Sequence, residues 1–110
     1  MAGKYRVYEG SGGKTYFQLK APNGQVILQS QGYAKKASAM NGIESVRKNS
    51  KDDSSFDRKQ AKNGEHYFVL KAKNGQVIAQ SETYKKPASM ENGIASVKKN
   101  ANAAVSDETA

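Results

Sequence analysis

Residues Tyr16–Asn49 and Tyr67–Asn100 align at a constant offset of 51 with no gap, and 23 of the 34 aligned positions are identical. Unrelated segments match far less often, so the chain carries an internal duplication and its halves must obey the same local rules. The expected units are residues 1–51 and 52–110. A unit of about 50 residues buries too little surface to stand alone, so the two are expected to share one core.

Within each unit, "TYFQLKAPNGQVILQS" and "HYFVLKAKNGQVIAQS" place Asn-Gly between two β-rich runs. That is a strong short-range hairpin signal, and it makes Asn23, Gly24, Asn74 and Gly75 structural turn residues. A two-residue loop at Asn23-Gly24 sets Pro22 against Gln25, Ala21 against Val26, Leu19 against Leu28 and Phe17 against Ser30. Phe17, Leu19, Ala21, Val26 and Leu28 then face inward, with Phe68, Leu70, Ala72, Val77 and Ala79 as their equivalents. Gly12-Gly13 and Asn63-Gly64 mark an earlier hairpin in each unit. The offset sets Tyr5 against Phe56, so each unit is expected to open on a short aromatic-bearing strand.

Downstream, Lys86-Pro87 fixes a helix start, because Pro suits the first helical position and disfavours αR in the residue before it. The repeat puts the other start near Lys36. Ile43 and Val46 with Ala39 or Met40 form one buried stripe, and Met90, Ile94 and Val97 form the other. Each helix carries Asn-Gly in its interior, although Gly there costs about 1 kcal/mol relative to Ala. The repeated glycines, Gly42 and Gly93, are therefore expected to serve packing, letting the helix approach the sheet or its sister helix closely; a ligand role for Asn41 and Asn92 is the alternative. Two β-β-β-α units are expected to join as an α+β domain with pseudo-two-fold symmetry: one antiparallel sheet with both helices on one face. The last ten residues, "ANAAVSDETA", read either as a polar tail or as a short edge strand near Ala104-Val105.

The duplicated pattern, running from "YFQLKAPNGQVILQS" through "NGIESVRKN" and again from "YFVLKAKNGQVIAQS" through "NGIASVKKN", resembles the YegP-like family of small bacterial proteins of unknown function in its tandem form. The resemblance covers nearly the whole chain. It implies a β-β-β-α-β unit with terminal strands exchanged between the halves, and a monomer that is a covalent pseudo-dimer. It supplies no catalytic residues.

Chemistry-bearing constellations are sparse. With no cysteine, disulfides, thiolate metal sites and cysteine nucleophiles are excluded. His66, the one histidine, stands opposite Thr15 in the repeat and has no ligand set around it. No carboxylate recurs in both units, so no duplicated acid/base pair exists. Nucleotide-binding and nucleophile-elbow motifs are lacking. The expectation is a protein that is not an enzyme and needs no cofactor or metal. No 18-residue apolar run suggests a membrane span, and the opening "MAGKYRVYEG" lacks a secretory apolar core, which reads as cytoplasmic.

The formal charge is +8, weighted to residues 1–50 at +6. A basic surface favours polyanions, although a small soluble domain often carries such a charge on a merely solvated surface. Two surfaces follow from the expected register. The sheet face away from the helices would present Tyr16, Lys20, Ile27 and Gln29, with Tyr67, Lys71, Ile78 and Gln80 from the second unit. Aromatics interleaved with lysine suit base stacking with phosphate contact, a protein partner, or ordinary strand propensity on a solvated face. At the helix starts, Lys35, Lys36 and Ser38, with Lys85, Lys86 and Ser89, place cations where the helix dipole disfavours them, a feature compatible with anion binding. The favoured reading is a non-catalytic interaction module with a protein partner. The alternative is a nucleic-acid binder using the sheet face or the helix starts.

Overall fold

The computed structural model describes residues 3–109. The first unit runs β1 (Lys4–Glu9), β2 (Thr15–Lys20), β3 (Val26–Ser30) and α1 (Lys36–Asn49). The second repeats it as β4 (Phe56–Gln60), β5 (His66–Lys71), β6 (Val77–Gln80) and α2 (Pro87–Asn100), followed by β7 (Ala104–Asp107). Both helices start where Lys-Pro and the repeat place them.

All seven strands form one sheet in the order β4-β5-β6-β3-β2-β1-β7. The units meet at β3 and β6, where Gln29 pairs with Gln80. Those two residues are repeat equivalents, so the pseudo-two-fold axis passes through their pair. The first six strands are antiparallel to their neighbours, whereas β7 lies parallel to β1, which makes the sheet mixed. A strand of the second unit thus completes the first, whereas no described strand of the first unit returns to β4, so the exchange that the resemblance implies runs one way only. The C-terminal segment is an edge strand.

One apolar cluster serves both units. Phe17, Leu19, Leu28, Phe68, Leu70 and Ala79 enter it from the sheet, and Ile43, Val46, Met90, Ile94 and Val97 from the helices. The helices therefore share one face of the sheet.

The hairpin register differs in one respect that moves four side chains. Ala21 N–H donates to Gln25 O, and Gly24 N–H to Ala21 O, so the loop holds three residues and not two. Gly24 takes φ +86° and Gly75 φ +85°, the left-handed residue that closes a type I turn of this length. The Asn23 side chain accepts from Gln25 N–H, and Asn74 does the same for Gln76. Lys20 consequently pairs with Val26, and a bulge at Ile27 restores Leu19 opposite Leu28. A bulge puts two successive side chains on the same side of the strand. Ile27 and Ile78, expected on the outer face, are buried in the core, while Val26 and Val77, expected inside, are half-buried and exposed.

The interior helix glycines are explained by the sheet side. A Cβ on Gly42 would stand 2.8 Å from the Phe17 ring and 2.9 Å from the Tyr33 hydroxyl. On Gly93 it would meet the Tyr84 hydroxyl at 2.5 Å and Phe68 at 3.2 Å. The glycines admit these rings, and it is these rings rather than the sister helix that press on them.

Candidate functional site

The tyrosine before each helix is fixed by backbone. Tyr33 and Thr15 exchange both N–H···O bonds at 2.8 Å, and Tyr84 and His66 exchange theirs at 2.6 and 2.7 Å. This ladder lays the Tyr33 ring parallel to Phe17, with centroids 6.3 Å apart, and brings its hydroxyl over Gly42. Burial raises the pKa values of Tyr33 and Tyr84, so both hydroxyls stay protonated as neutral donor-acceptors at ordinary pH. The repeated serine ending β3 and following β6 anchors the same corner. Ser30 Oγ accepts from Phe17 N–H and donates to Gln31 O, and Ser81 Oγ repeats both bonds with Phe68 and Glu82.

Above each hydroxyl the surface opens into a cleft. The first, of about 190 Å³, is walled on one side by Tyr33 and the α1 residues Ser38, Asn41, Gly42 and Ser45. Its other wall is the second unit's hairpin, including Ala72, Gln76 and Ile78. The second cleft, of about 390 Å³, has Tyr84 with Ser89, Asn92, Gly93 and Ser96 of α2 against Ala21, Gln25 and Ile27 of the first unit's hairpin. Eight lining residues of one cleft are the repeat equivalents of eight in the other, and all eight pairs are identical in type. Each cleft is composite: a helix of one unit faces a turn of the other. Asn41 and Asn92 are exposed, and no protein hydrogen bond engages either side-chain amide among the described residues.

The helix starts contribute unevenly. Ser38 and Ser89 line the clefts. Lys35 and Lys86 are the extended residues before the helices, and neither helix has a side-chain cap. Lys36 is ion-paired to Asp107 of β7, holding that carboxyl far below its ordinary range. Lys35, Lys85 and Lys86 are exposed and make no ion pair among the described residues. The sequence-level grouping of these residues as paired anion sites therefore meets a cation already matched in the first unit.

The outer sheet face is held together rather than open. Tyr16 stacks on Tyr8 at 5.7 Å, Arg6 lies 4.3 Å from the Tyr8 ring centroid, and Tyr8 and Gln18 both hydrogen-bond Gln29. In the second unit Asp57 occupies the position of Arg6 and binds Lys71 Nζ at 3.0 Å and Lys59 Nζ at 3.4 Å. Lys20 and Tyr67 are half-buried, and Gln80 is exposed beside the axis.

A cavity of about 350 Å³ lies over the β3–β6 junction, lined by Gln18, Gln29 and Gln80 with Val26 and Val77. No group of three or more metal-ligating side chains is gathered among the described residues. No described helix is long and apolar enough to cross a membrane.

A family model described as "Domain of unknown function (DUF1508)" matches the chain twice, over residues 11–57 and 61–107. The chain belongs to this family. It is 52% identical over 98 residues to the UPF0339 protein YegP of Yersinia pestis, covering 89% of this chain and 88% of that one. A UPF0339 protein of Pseudomonas aeruginosa is 48% identical over 110 residues, covering 99% and 100%. The solution NMR structure of yegP from E. coli, described as a protein of unknown function, superimposes with a TM-score of 0.94 at 45% identity, covering 99% of this chain and 95% of that one. These YegP-like relatives establish the duplicated α+β architecture, and the family has no established function.

Sequence reasoning reached Gly42, Gly93, Ser38 and Ser89, and Asn41 and Asn92 as an alternative to packing, but not Tyr33, Gln76 or their equivalents, nor that all of these belong to one cleft. Their identity across the repeat was the available signal. What hid the site is that its two walls come from different units.

Proposed function

We propose that the protein is a non-catalytic binding module that engages a protein partner through its two equivalent clefts. The observation that carries this is the eight-for-eight identity of the lining residues, while on the outer face Tyr16, Lys20 and Gln29 are repeated but Arg6, Tyr8 and Gln18 give way to Asp57, Lys59 and Val69. Packing accounts for the glycines and the buried isoleucines. It does not account for two exposed asparagines whose amides serve no bond within the protein. A carboxamide offers both a donor and an acceptor, and tyrosine and serine hydroxyls add more, which suits recognition of amide groups. A duplicated site also favours a partner that is itself bivalent.

The test is an NMR titration of labelled protein with nuclease-treated cell extract, reading the Gly42 and Gly93 amides at the cleft floors. Shifts at both glycines, lost in the Asn41→Ala/Asn92→Ala variant, are expected. Shifts confined to the outer face overturn the reading. The second reading, nucleic-acid binding, draws support from the Arg6–Tyr8–Tyr16 stack beside Lys20 on the more basic half. It requires binding to single-stranded DNA or RNA at 50 mM salt that weakens steeply by 200 mM, values spanning the range over which phosphate contacts are lost.

A further inference from the structure

We infer that the cleft on α1 continues into a groove that takes an acidic segment of another protein in extended conformation. The inference rests on the cleft reading above and assigns its occupant. The cleft shares Ser45 and Ala72 with an adjoining cavity of about 280 Å³ lined by Lys48, Asn49, Lys73 and Asn74. From Ser38 to Lys48 the groove follows α1 for ten residues, roughly 15 Å at the helical rise. That is the span of about five extended residues.

The lining decides the sign of the occupant. No aspartate or glutamate lines either cavity. Lys48, on α1, and Lys73, on the second hairpin, are exposed and make no ion pair among the described residues. Asp52, whose pKa is lowered by hydrogen bonds from Ser54 and by the charge of Lys73, lines the next cavity beyond Lys73 and not this groove. Asn41 sits one helical turn from the Ser38 end, where its amide can accept from one peptide N–H and donate to a carbonyl of the same extended strand. Tyr33 is a neutral group on the groove floor, its hydroxyl against Gly42, and the lysines that line the groove lie beyond Ser45. The pseudo-symmetric groove on α2 is weaker in the same terms. Pro22 stands where Lys73 stands, which leaves Lys99, the equivalent of Lys48, as its cation.

The probe is a blocked pentapeptide of alternating alanine and glutamate, with glutamine-for-glutamate and lysine-for-glutamate peptides as controls, titrated at low salt into the labelled full chain. The acidic peptide is expected to shift Gly42, Ser45 and Lys73 at lower concentration than it shifts Gly93. Lys48→Gln with Lys73→Gln should weaken it about three- to tenfold, as loss of two exposed ion pairs predicts, and bring it level with the glutamine peptide. Both lysines are exposed, so the variant should keep the parent spectrum away from the groove. Equal binding of acidic and neutral peptides overturns the inference, as do shifts at the helix starts or outer face alone. If no peptide moves the glycines while extract still does, the acidic segment is wrong and the cleft reading stands. If neither moves them, both fall.

Discussion

The helix side and the outer side of the sheet treat the same duplication differently. On the helix side, eight cleft positions are identical between units. On the outer side, Arg6, Tyr8 and Gln18 of the first unit correspond to Asp57, Lys59 and Val69 of the second. A cation–aromatic stack in one half has an ion-pair cluster as its counterpart in the other. The outer face keeps Tyr16, Lys20 and Gln29 as Tyr67, Lys71 and Gln80, and around that shared frame two different sets of neighbours suffice. The helix side is constrained by close packing and, on our reading, by a partner met twice. That contrast separates what the fold tolerates from what it holds fixed.

The largest expected effect tests whether the fixed side is fixed by packing. Gly42→Leu together with Gly93→Leu drives a side chain into Tyr33 and Phe17 in one unit and Tyr84 and Phe68 in the other. Overpacking costs about 1–3 kcal/mol per site, so the double variant should lose a large fraction of the stability of a domain this size. Gly42 should be the more sensitive, because its nearest neighbour is the fully buried Phe17 ring, whereas Gly93 first meets the outer end of the half-buried Tyr84. Urea unfolding reads the outcome. A double variant more stable than the parent would mean that the helix-propensity gain wins and that the tyrosines do not hold the helices.

A slightly smaller effect bears on which face each hairpin residue occupies. Ile27 is 4% exposed, so Ile27→Ala should cost about 2–5 kcal/mol. Val77, at 40% exposed, should tolerate Val77→Ala within about 0.5 kcal/mol. The simple two-residue turn predicts the reverse order, so the pair of urea midpoints decides between the registers.

This hairpin also shows where the sequence was legible and where it was not. Alternation and Asn-Gly placed the turn and the Leu19–Leu28 pairing correctly, because hydrophobic periodicity and turn chemistry are local. The extra loop residue and the bulge shift pairing by opposite amounts and cancel beyond Leu19, so a register judged on the strand bodies cannot detect them. The helix starts and stripes were legible because Pro87 and the apolar spacing are local too. The clefts were not, because Asn41 meets Gln76 only through the sheet order β5-β6-β3-β2, and nothing in one unit states that its helix overhangs the other unit's turn.

The corner serines supply the next comparison. Ser30 and Ser81 are each 5% exposed and each satisfies a buried backbone N–H, of Phe17 and of Phe68. Removing a hydroxyl leaves that donor unsatisfied, at about 1–3 kcal/mol. Ser30→Ala and Ser81→Ala should therefore destabilise by similar amounts, read as urea midpoints. A cost in one unit and none in the other would show that the helix side is less symmetric than its geometry.

The smallest effect concerns the place where the units differ most in backbone. After α2 the chain forms β7; the equivalent stretch after α1 is a short 3₁₀ turn, Asp53–Ser55, leading into β4. Strand β7 is held by its parallel pairing with β1, by Lys36 to Asp107 and by Arg6 Nε to Glu108 at 2.7 Å. Hydrogen bonding to Lys36 lowers the Asp107 pKa, and hydrogen bonding to Arg6 lowers that of Glu108. A carboxylate whose folded pKa lies below its unfolded value stabilises the fold above the unfolded value, about 4, and that contribution is lost as pH falls through the folded value. Between pH 7 and 5 the protection factors of the β7 amides should thus be unchanged, and below about pH 4 they should fall before those of β2 and β3. Both carboxylates are solvent-exposed, so high salt at pH 7 should produce a milder version of the same loosening. Asp107→Asn with Glu108→Gln should remove the acid step from β7 while leaving its parallel pairing. An acid step that persists unchanged in that variant would place its origin elsewhere, with Asp53 and Glu91 on Arg58 as the next ion pairs to test.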